Sequence, residues 1–246
     1  MFSVSDKNFA RSENMRLTFA CDGNTRIYPV VKELTELYDL RGSFLCDIPI
    51  PMGDDGEYEE SLYELYRDIA ESAPGLGITV SVDTDRRLAA RLRALMRASV
   101  YGRFSLLFRG ILSPNELQDS LREYSKAFCE LEADGREFNG YISRGICVDT
   151  PSLLLRIPAC DCIDFCAFDI DRLFRLMTGG ADTLDGDTVR STAKYIYEFK
   201  RSAPRLKYSA ILGEQTANAV FFNELLNMGI TRFYIQGATF KHVEQA

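Results

Sequence analysis

The chain has 246 residues and a formal net charge of −7, from 36 acidic and 29 basic side chains. Its length suits one large barrel or two smaller domains, and its 46% apolar share allows an ordinary folded core. The negative charge argues against nucleic acid or an anionic membrane as the main partner, and no apolar run approaches the roughly 20 residues that a membrane helix needs.

The cysteines and the first residues of the chain indicate a compartment. Seven cysteines are an odd count, and several of them lie inside apolar runs, which is typical of buried, reduced thiols. The first residues lack the basic start and apolar centre of a signal peptide. We therefore expect a cytoplasmic protein. The single histidine, His242, follows the last predicted strand, so no histidine chemistry is expected.

After a polar arm at residues 1–14, apolar runs alternate with amphipathic stretches over residues 15–246, which is the order of repeated βα units. The predicted strands are Met15–Cys21, Ser43–Ile50, Ile78–Val82, Phe104–Phe108, Ile142–Val148, Ile163–Phe168, Tyr208–Leu212 and Arg232–Ile235. The predicted helices are Ile27–Tyr38, Tyr58–Glu71, Arg86–Ser99, Asn115–Leu131, Ser152–Arg156, Val189–Arg201 and Asn218–Asn227. This pattern predicts a single closed (β/α)8 barrel of α/β class, with the eighth helix missing or replaced.

Two of the predicted strands end in acids. Ile146, Cys147 and Val148 lead to Asp149, and the run from Ile163 leads to Asp169-Ile-Asp171. Barrel chemistry belongs at the carboxyl ends of the strands, so Asp149 and Asp171 are candidates to share a divalent cation. The alternative is that these acids only cap the helices that follow. The other polar residues at predicted strand ends are Asp22, Asp47, Asp83, Asp85, Arg109, Glu214 and Gln236.

Several segments carry a family resemblance. The motif "LRAxLRAS…G…FPMI" is resembled by Leu92–Ser99 with Gly102 and Phe104–Phe108. The motif "GxMVETP" is resembled by Gly145–Pro151. The motifs "VDFFSIGTND" and "MCGE" are resembled by Ile163–Asp171 and by Ile211–Glu214. These motifs are those of the barrel domain of the phosphoenolpyruvate-utilising enzymes. That family includes enzyme I of the bacterial sugar phosphotransferase system, pyruvate phosphate dikinase and phosphoenolpyruvate synthase.

The resemblance implies a barrel of the phosphoenolpyruvate/pyruvate type, in which a Glu and an Asp bind magnesium. Asp149 and Asp171 correspond to these two ligands, and the shorter Asp149 predicts weak magnesium binding. Leu212 stands at the position of the family's cysteine general acid and has no proton to give. The family's phosphate-binding arginines have no counterparts, and Arg109 is the only new cation that we place at the mouth. The candidate substrate-binding residues are Arg109, Glu214 and Asp47.

Two functions follow from these matches and departures. The first is a catalytically degenerate barrel that serves as a binding or assembly module for a small carboxylate ligand. The second is a divergent magnesium-dependent transferase or lyase that acts on a 2-oxo acid or a related small carboxylate by metal-enolate chemistry. The loss of several site groups together favours the first, because one lost donor already costs about 10²–10³ in rate. The missing eighth helix predicts a homodimer, or contacts with other domains of a longer protein, at the face beside strands eight and one.

Overall fold

The computed structural model describes residues 25–40, 42–49, 55–156, 162–180, 186–213, 216 and 219–236. Within these ranges eight parallel strands form a closed barrel in chain order, with β8 paired to β1. The strands are β1 Arg26–Val31, β2 Phe44–Cys46, β3 Gly77–Asp83, β4 Arg103–Arg109, β5 Ser143–Val148, β6 Phe165–Asp169, β7 Lys207–Leu212 and β8 Arg232–Gln236. The predicted (β/α)8 barrel is confirmed.

Helices follow most strands and cover the barrel. Their bounds are α1 Asp55–Ser72, α2 Leu88–Ala98, α3 Pro114–Ala133, α4 Pro151–Leu155, α5 Ile170–Met177, α6 Gly186–Ser202 and α7 Ala219–Asn227. Both α5 and α6 lie between β6 and β7, whereas only a 3-10 helix, Leu34–Asp39, lies between β1 and β2. No helix in the described ranges is long and apolar enough to cross a bilayer.

The first βα unit differs from the sequence prediction. Arg26–Val31 forms β1, where we predicted a helix over Ile27–Tyr38. Pro29 would lie in the first turn of that helix, where proline is tolerated, so the reason lies in the β-branched and aromatic residues beside it, Ile27, Tyr28, Val30 and Val31, which favour a strand. The strand predicted at Met15–Cys21 and the predicted arm at residues 1–14 lie outside the described residues. The count of eight strands holds, but the barrel begins at Arg26.

Two layers of apolar residues make the core. The larger one lies between the barrel and its helices and contains fully buried rings such as Phe108, Phe168, Phe174, Phe222 and Phe233. The smaller one fills the barrel axis and consists of Val30, Leu45, Leu107, Cys147, Ala167, Ile211 and Tyr234. Because side chains alternate along a strand, residues an even number of positions from this axial layer also face the axis. That register decides which residues meet at the two barrel mouths.

Candidate functional site at the carboxyl-terminal mouth

Asp149 is the most deeply buried acid of this mouth. It follows β5 directly, in the axial register of Cys147, and its side chain is 0% exposed. Nη1 of Arg172 lies 3.1 Å from its Oδ2 atom, yet neither carboxylate oxygen accepts a hydrogen bond of good geometry from the described residues. Burial raises the pKa of Asp149, and the guanidinium groups of Arg172 and Arg109 oppose this rise.

Asp149 is not a helix cap. The cap of α4 is Thr150, whose hydroxyl accepts a hydrogen bond from the backbone N–H of Leu153 at 3.4 Å. The cap of α5 is Asp169, whose Oδ1 atom accepts from the backbone N–H of Arg172 at 3.0 Å. The alternative that Asp149 and Asp171 merely cap helices is therefore wrong.

Asp171 is held against the segment that follows β7. Its Oδ1 atom accepts hydrogen bonds from the backbone N–H of Thr216, at 3.1 Å, and from the Thr216 hydroxyl. A Cβ atom at Gly213 would overlap the Asp171 carboxylate, so only glycine allows this close approach. The Asp171 carboxylate therefore already has two donors of its own.

Arg109 bridges two acids across the mouth. Its Nη1 atom lies 3.0 Å from Oδ1 of Asp47, and its Nη2 atom lies 3.4 Å from Oδ2 of Asp169. The Arg109 side chain is 23% exposed. Burial raises the pKa of Asp169, and the nearby Asp171 and Asp149 carboxylates raise it further, against lowering by the Arg172 N–H and Arg109. The structure thus brings together Arg109 and Asp47, two of the predicted substrate-binding residues.

Two other residues were predicted at this mouth, Glu214 and Leu212. Glu214 lies outside the described residues. Leu212, at the end of β7, is completely buried in the core between the barrel and its helices, so its side chain does not line the mouth.

The side chains as they stand do not fit a magnesium ion shared by Asp149 and Asp171. Oδ1 of Asp171 already accepts two hydrogen bonds from Thr216, and Asp149 has a guanidinium group beside it, which repels a dication. Within the described parts of the chain, no three His, Cys, Asp or Glu side chains converge to hold a metal ion. Magnesium could be shared there only after these contacts break, and the weak binding predicted at Asp149 and Asp171 stays a prediction.

Arg172 is the site residue that sequence reasoning missed. Arg109 was expected to be the only new cation of the mouth, but Arg172 is a second one. A signal was available: when the motif "VDFFSIGTND" is matched from Ile163 without a gap, its final Asp falls on Arg172 and its Asn on Asp171. In that alignment an arginine stands where the family has a metal ligand.

Solved structures with the same fold include a citrate lyase from Burkholderia xenovorans LB400 and a malate synthase from Haloferax volcanii. The first has a TM-score of 0.60 and 13% identity, over 92% of this chain and 77% of that chain. The second has a TM-score of 0.57 and 12% identity, over 95% of this chain and 75% of that chain. At such low identities these likenesses describe the fold alone.

Sequence comparisons identify the family. Phosphoenolpyruvate-protein phosphotransferase of Haemophilus influenzae is 31% identical over 97 residues, which are 39% of this chain and 17% of that protein. The same enzyme of Buchnera aphidicola subsp. Baizongia pistaciae is 25% identical over 186 residues, 71% of this chain and 32% of that protein. The chain thus spans about a third or less of the length of these relatives.

The family model for the phosphoenolpyruvate-binding domain of phosphoenolpyruvate-utilising enzymes matches residues 52–177, slightly more than half of the chain. The chain therefore belongs to the phosphoenolpyruvate-utilising enzyme family.

Proposed function

We propose that this barrel has lost phosphoryl transfer and serves as a binding or assembly module of the phosphoenolpyruvate-utilising family. The observation that carries the proposal is the ion pair between Arg172 Nη1 and Asp149 Oδ2, 3.1 Å apart. Asp149 stands at a family metal-ligand position, and here its counter-charge is a guanidinium group of the chain itself. A guanidinium neutralises the buried acid but has no vacant coordination position for a substrate oxygen.

The burial of the two partners favours this ion pair. Asp149 is 0% exposed and Arg172 is 47% exposed. A completely buried carboxylate needs a partner charge, whereas a half-exposed arginine keeps much of its hydration. The pair therefore stabilises the acid without an external cation.

The proposal is tested with phosphoenolpyruvate and magnesium. We expect no release of pyruvate above the no-protein background and no phosphorylated chain in intact-mass spectra. An intact phosphoenolpyruvate-protein phosphotransferase serves as the positive control. Pyruvate released in proportion to the concentration of this chain, and abolished by Asp149→Asn, would show that the barrel is an enzyme.

The competing function, magnesium-dependent chemistry on a 2-oxo acid, requires Arg172 to leave Asp149. Enolisation of pyruvate would exchange its methyl protons with deuterated solvent. Exchange that depends on both magnesium and this chain would favour the enzyme over the binding module.

In the proposed module, Arg109 is the group that binds a small carboxylate ligand. Its guanidinium group already contacts Asp47 at 3.0 Å, so a ligand carboxylate must displace Asp47, which is 30% exposed. Asp47→Asn should therefore tighten the binding of oxalate or pyruvate about fivefold to tenfold, and Arg109→Gln should abolish it. Calorimetric titrations of the two variants give this comparison. Equal affinities in both variants would exclude Arg109 as the ligand-binding group.

For assembly, we propose a homodimer through the face beside β8 and β1. Light scattering across a concentration series tests it. A monomer at every concentration would remove the homodimer from the account and leave the binding role in place.

A further inference from the structure

The amino-terminal mouth of the barrel has the opposite charge to the carboxyl-terminal mouth. Four strands begin with a basic residue in the register that faces the axis: Arg26, Arg103, Lys207 and Arg232. All four are exposed, and Arg103, for example, lies four positions before the axial Leu107. We call these four residues the basic mouth. A chain with a net charge of −7 thus concentrates positive charge at one end of its barrel.

A polar depression opens at the basic mouth. Its volume is about 460 Å³, and Arg103 and Arg232 both line it. The hydroxyl groups around these arginines belong to Tyr28, Ser43, Thr79, Ser105, Tyr141, Ser143 and Tyr234. The Tyr234 hydroxyl lies 3.2 Å from the Thr79 hydroxyl at the floor, where both residues are buried. The depression therefore combines two guanidinium groups with several neutral donors.

Two neighbouring depressions extend the positive surface. One, of about 340 Å³, shares Arg103 and adds Arg26. The other, of about 560 Å³, shares Arg232 and adds Lys207 and Lys200. The basic side chains therefore surround the barrel axis and do not form a single row.

Arg103 and Arg232 form no ion pair within the described chain. No carboxylate lines any of the three depressions, and neither Arg103 nor Arg232 has an ion pair there. Asp164, just before β6, accepts hydrogen bonds at Oδ2 from the backbone N–H of Arg144, at 2.8 Å, and from the Ser143 hydroxyl of the main depression, at 3.3 Å. Two arginines that line one depression and form no ion pair with this or another described acid leave a positive potential that attracts an anion.

We propose that the basic mouth binds a phosphorylated small molecule, with its phosphoryl oxygens held by Arg103 and Arg232. The planar fork of a guanidinium group donates two parallel hydrogen bonds to phosphate, and the surrounding hydroxyls supply further donors. Tyr141, which is 98% exposed, adds an aromatic face at the rim for the remainder of the molecule. This site lies at the opposite end of the barrel from Asp149, and it does not depend on the role of that acid.

The test is a calorimetric titration of the full chain with inorganic pyrophosphate at low ionic strength. We expect saturable one-site binding, weakened at least tenfold by Arg103→Gln and by Arg232→Gln and lost in the double variant. Arg122→Gln is the matched control, because Arg122 is an exposed arginine on α3 that pairs with Asp119, and it should leave the affinity unchanged. Thermal melts followed by circular dichroism show whether the variants remain folded.

Three results would overturn the proposal. The first is the absence of saturable pyrophosphate binding by the unaltered chain. The second is equal affinity in the folded double variant, which would place the anion elsewhere. The third is tighter binding of citrate than of pyrophosphate, because a polycarboxylate would then be the preferred class of anion.

Discussion

Replacing Arg172 with Ala should destabilise the folded chain by about 2 kcal/mol at neutral pH, because the variant leaves a buried carboxylate without its partner charge. Asp149 is 0% exposed and its oxygens accept no hydrogen bond of good geometry within the described residues. Arg172 lies in the first turn of α5, where a positive charge is unfavourable to the helix dipole. Removing it should slightly stabilise the helix itself, so the net loss reports the ion pair.

The stability lost in the Arg172→Ala variant should depend on pH in a defined direction. Burial raises the folded-state pKa of Asp149 above its ordinary value of 3.8. Such a group contributes stability while it is protonated, and this contribution is lost as the pH rises through the folded-state pKa. Removing Arg172 raises that pKa further. The destabilisation should therefore be largest above the folded-state pKa values of both proteins, and it should shrink as the pH falls below the folded-state pKa of the unaltered chain, because Asp149 then becomes protonated in both proteins.

Urea unfolding of both proteins across this pH range measures the effect. Arg175→Ala is the matched control on the same helix, since Arg175 is also exposed and its loss should cost less than about 0.5 kcal/mol at every pH. A destabilisation by Arg172→Ala that is equal at all pH values would mean that Arg172 contributes packing and not charge.

Replacing Arg172 with Asp should create a divalent-cation site. The substitution exchanges the guanidinium group beside Asp149 for a second carboxylate, and two carboxylates with water are a sufficient set for Mg²⁺ or Mn²⁺. Two unit charges 4 Å apart interact by about 4 kcal/mol near a protein surface. Because Arg172 is 47% exposed, we expect only part of this energy and a gain in Mn²⁺ affinity of about 100-fold.

Electron paramagnetic resonance of free Mn²⁺ measures this gain directly. Arg175→Asp adds the same charge to α5 at a position away from Asp149 and should leave the affinity nearly unchanged. Adding Asp149→Asn to Arg172→Asp should remove the gain. A folded Arg172→Asp protein with no increase in Mn²⁺ affinity would show that Arg172 does not occupy the place of the cation.

The sequence predicts most of this fold because its strands are short apolar runs between amphipathic helices. Ser143–Val148, for example, lies within the predicted strand Ile142–Val148. Two elements differ from the prediction: Arg26–Val31 is a strand where a helix was predicted, because its β-branched and aromatic residues favour a strand, and α5, Ile170–Met177, is a helix that was not predicted. The sequence also places Asp47, Arg109 and Asp149 at one mouth, because each of them lies at or near the carboxyl end of a predicted strand. Each lies two positions after an axial residue, Leu45, Leu107 or Cys147, so its side chain faces the barrel axis.

The ion pairs and hydrogen bonds between side chains of the mouth were harder to predict. Arg172 belongs to a helix and not to a strand end, and its distance from Asp149 depends on how α5 begins after Asp169. The contacts of Asp171 with Thr216 depend on the glycine at position 213, which allows the segment after β7 to approach α5. Both contacts join segments that are distant in sequence, so residue spacing alone does not reveal them.

Calorimetric titration of the unaltered chain with Mg²⁺ at neutral pH, without any added ligand, tests most directly whether the Arg172 guanidinium has taken the place of the cation at Asp149. We expect no saturable binding at submillimolar concentrations, because the dication must displace Arg172 from a completely buried carboxylate. A submicromolar dissociation constant that is lost in Asp149→Asn would contradict this account and would restore magnesium to the site.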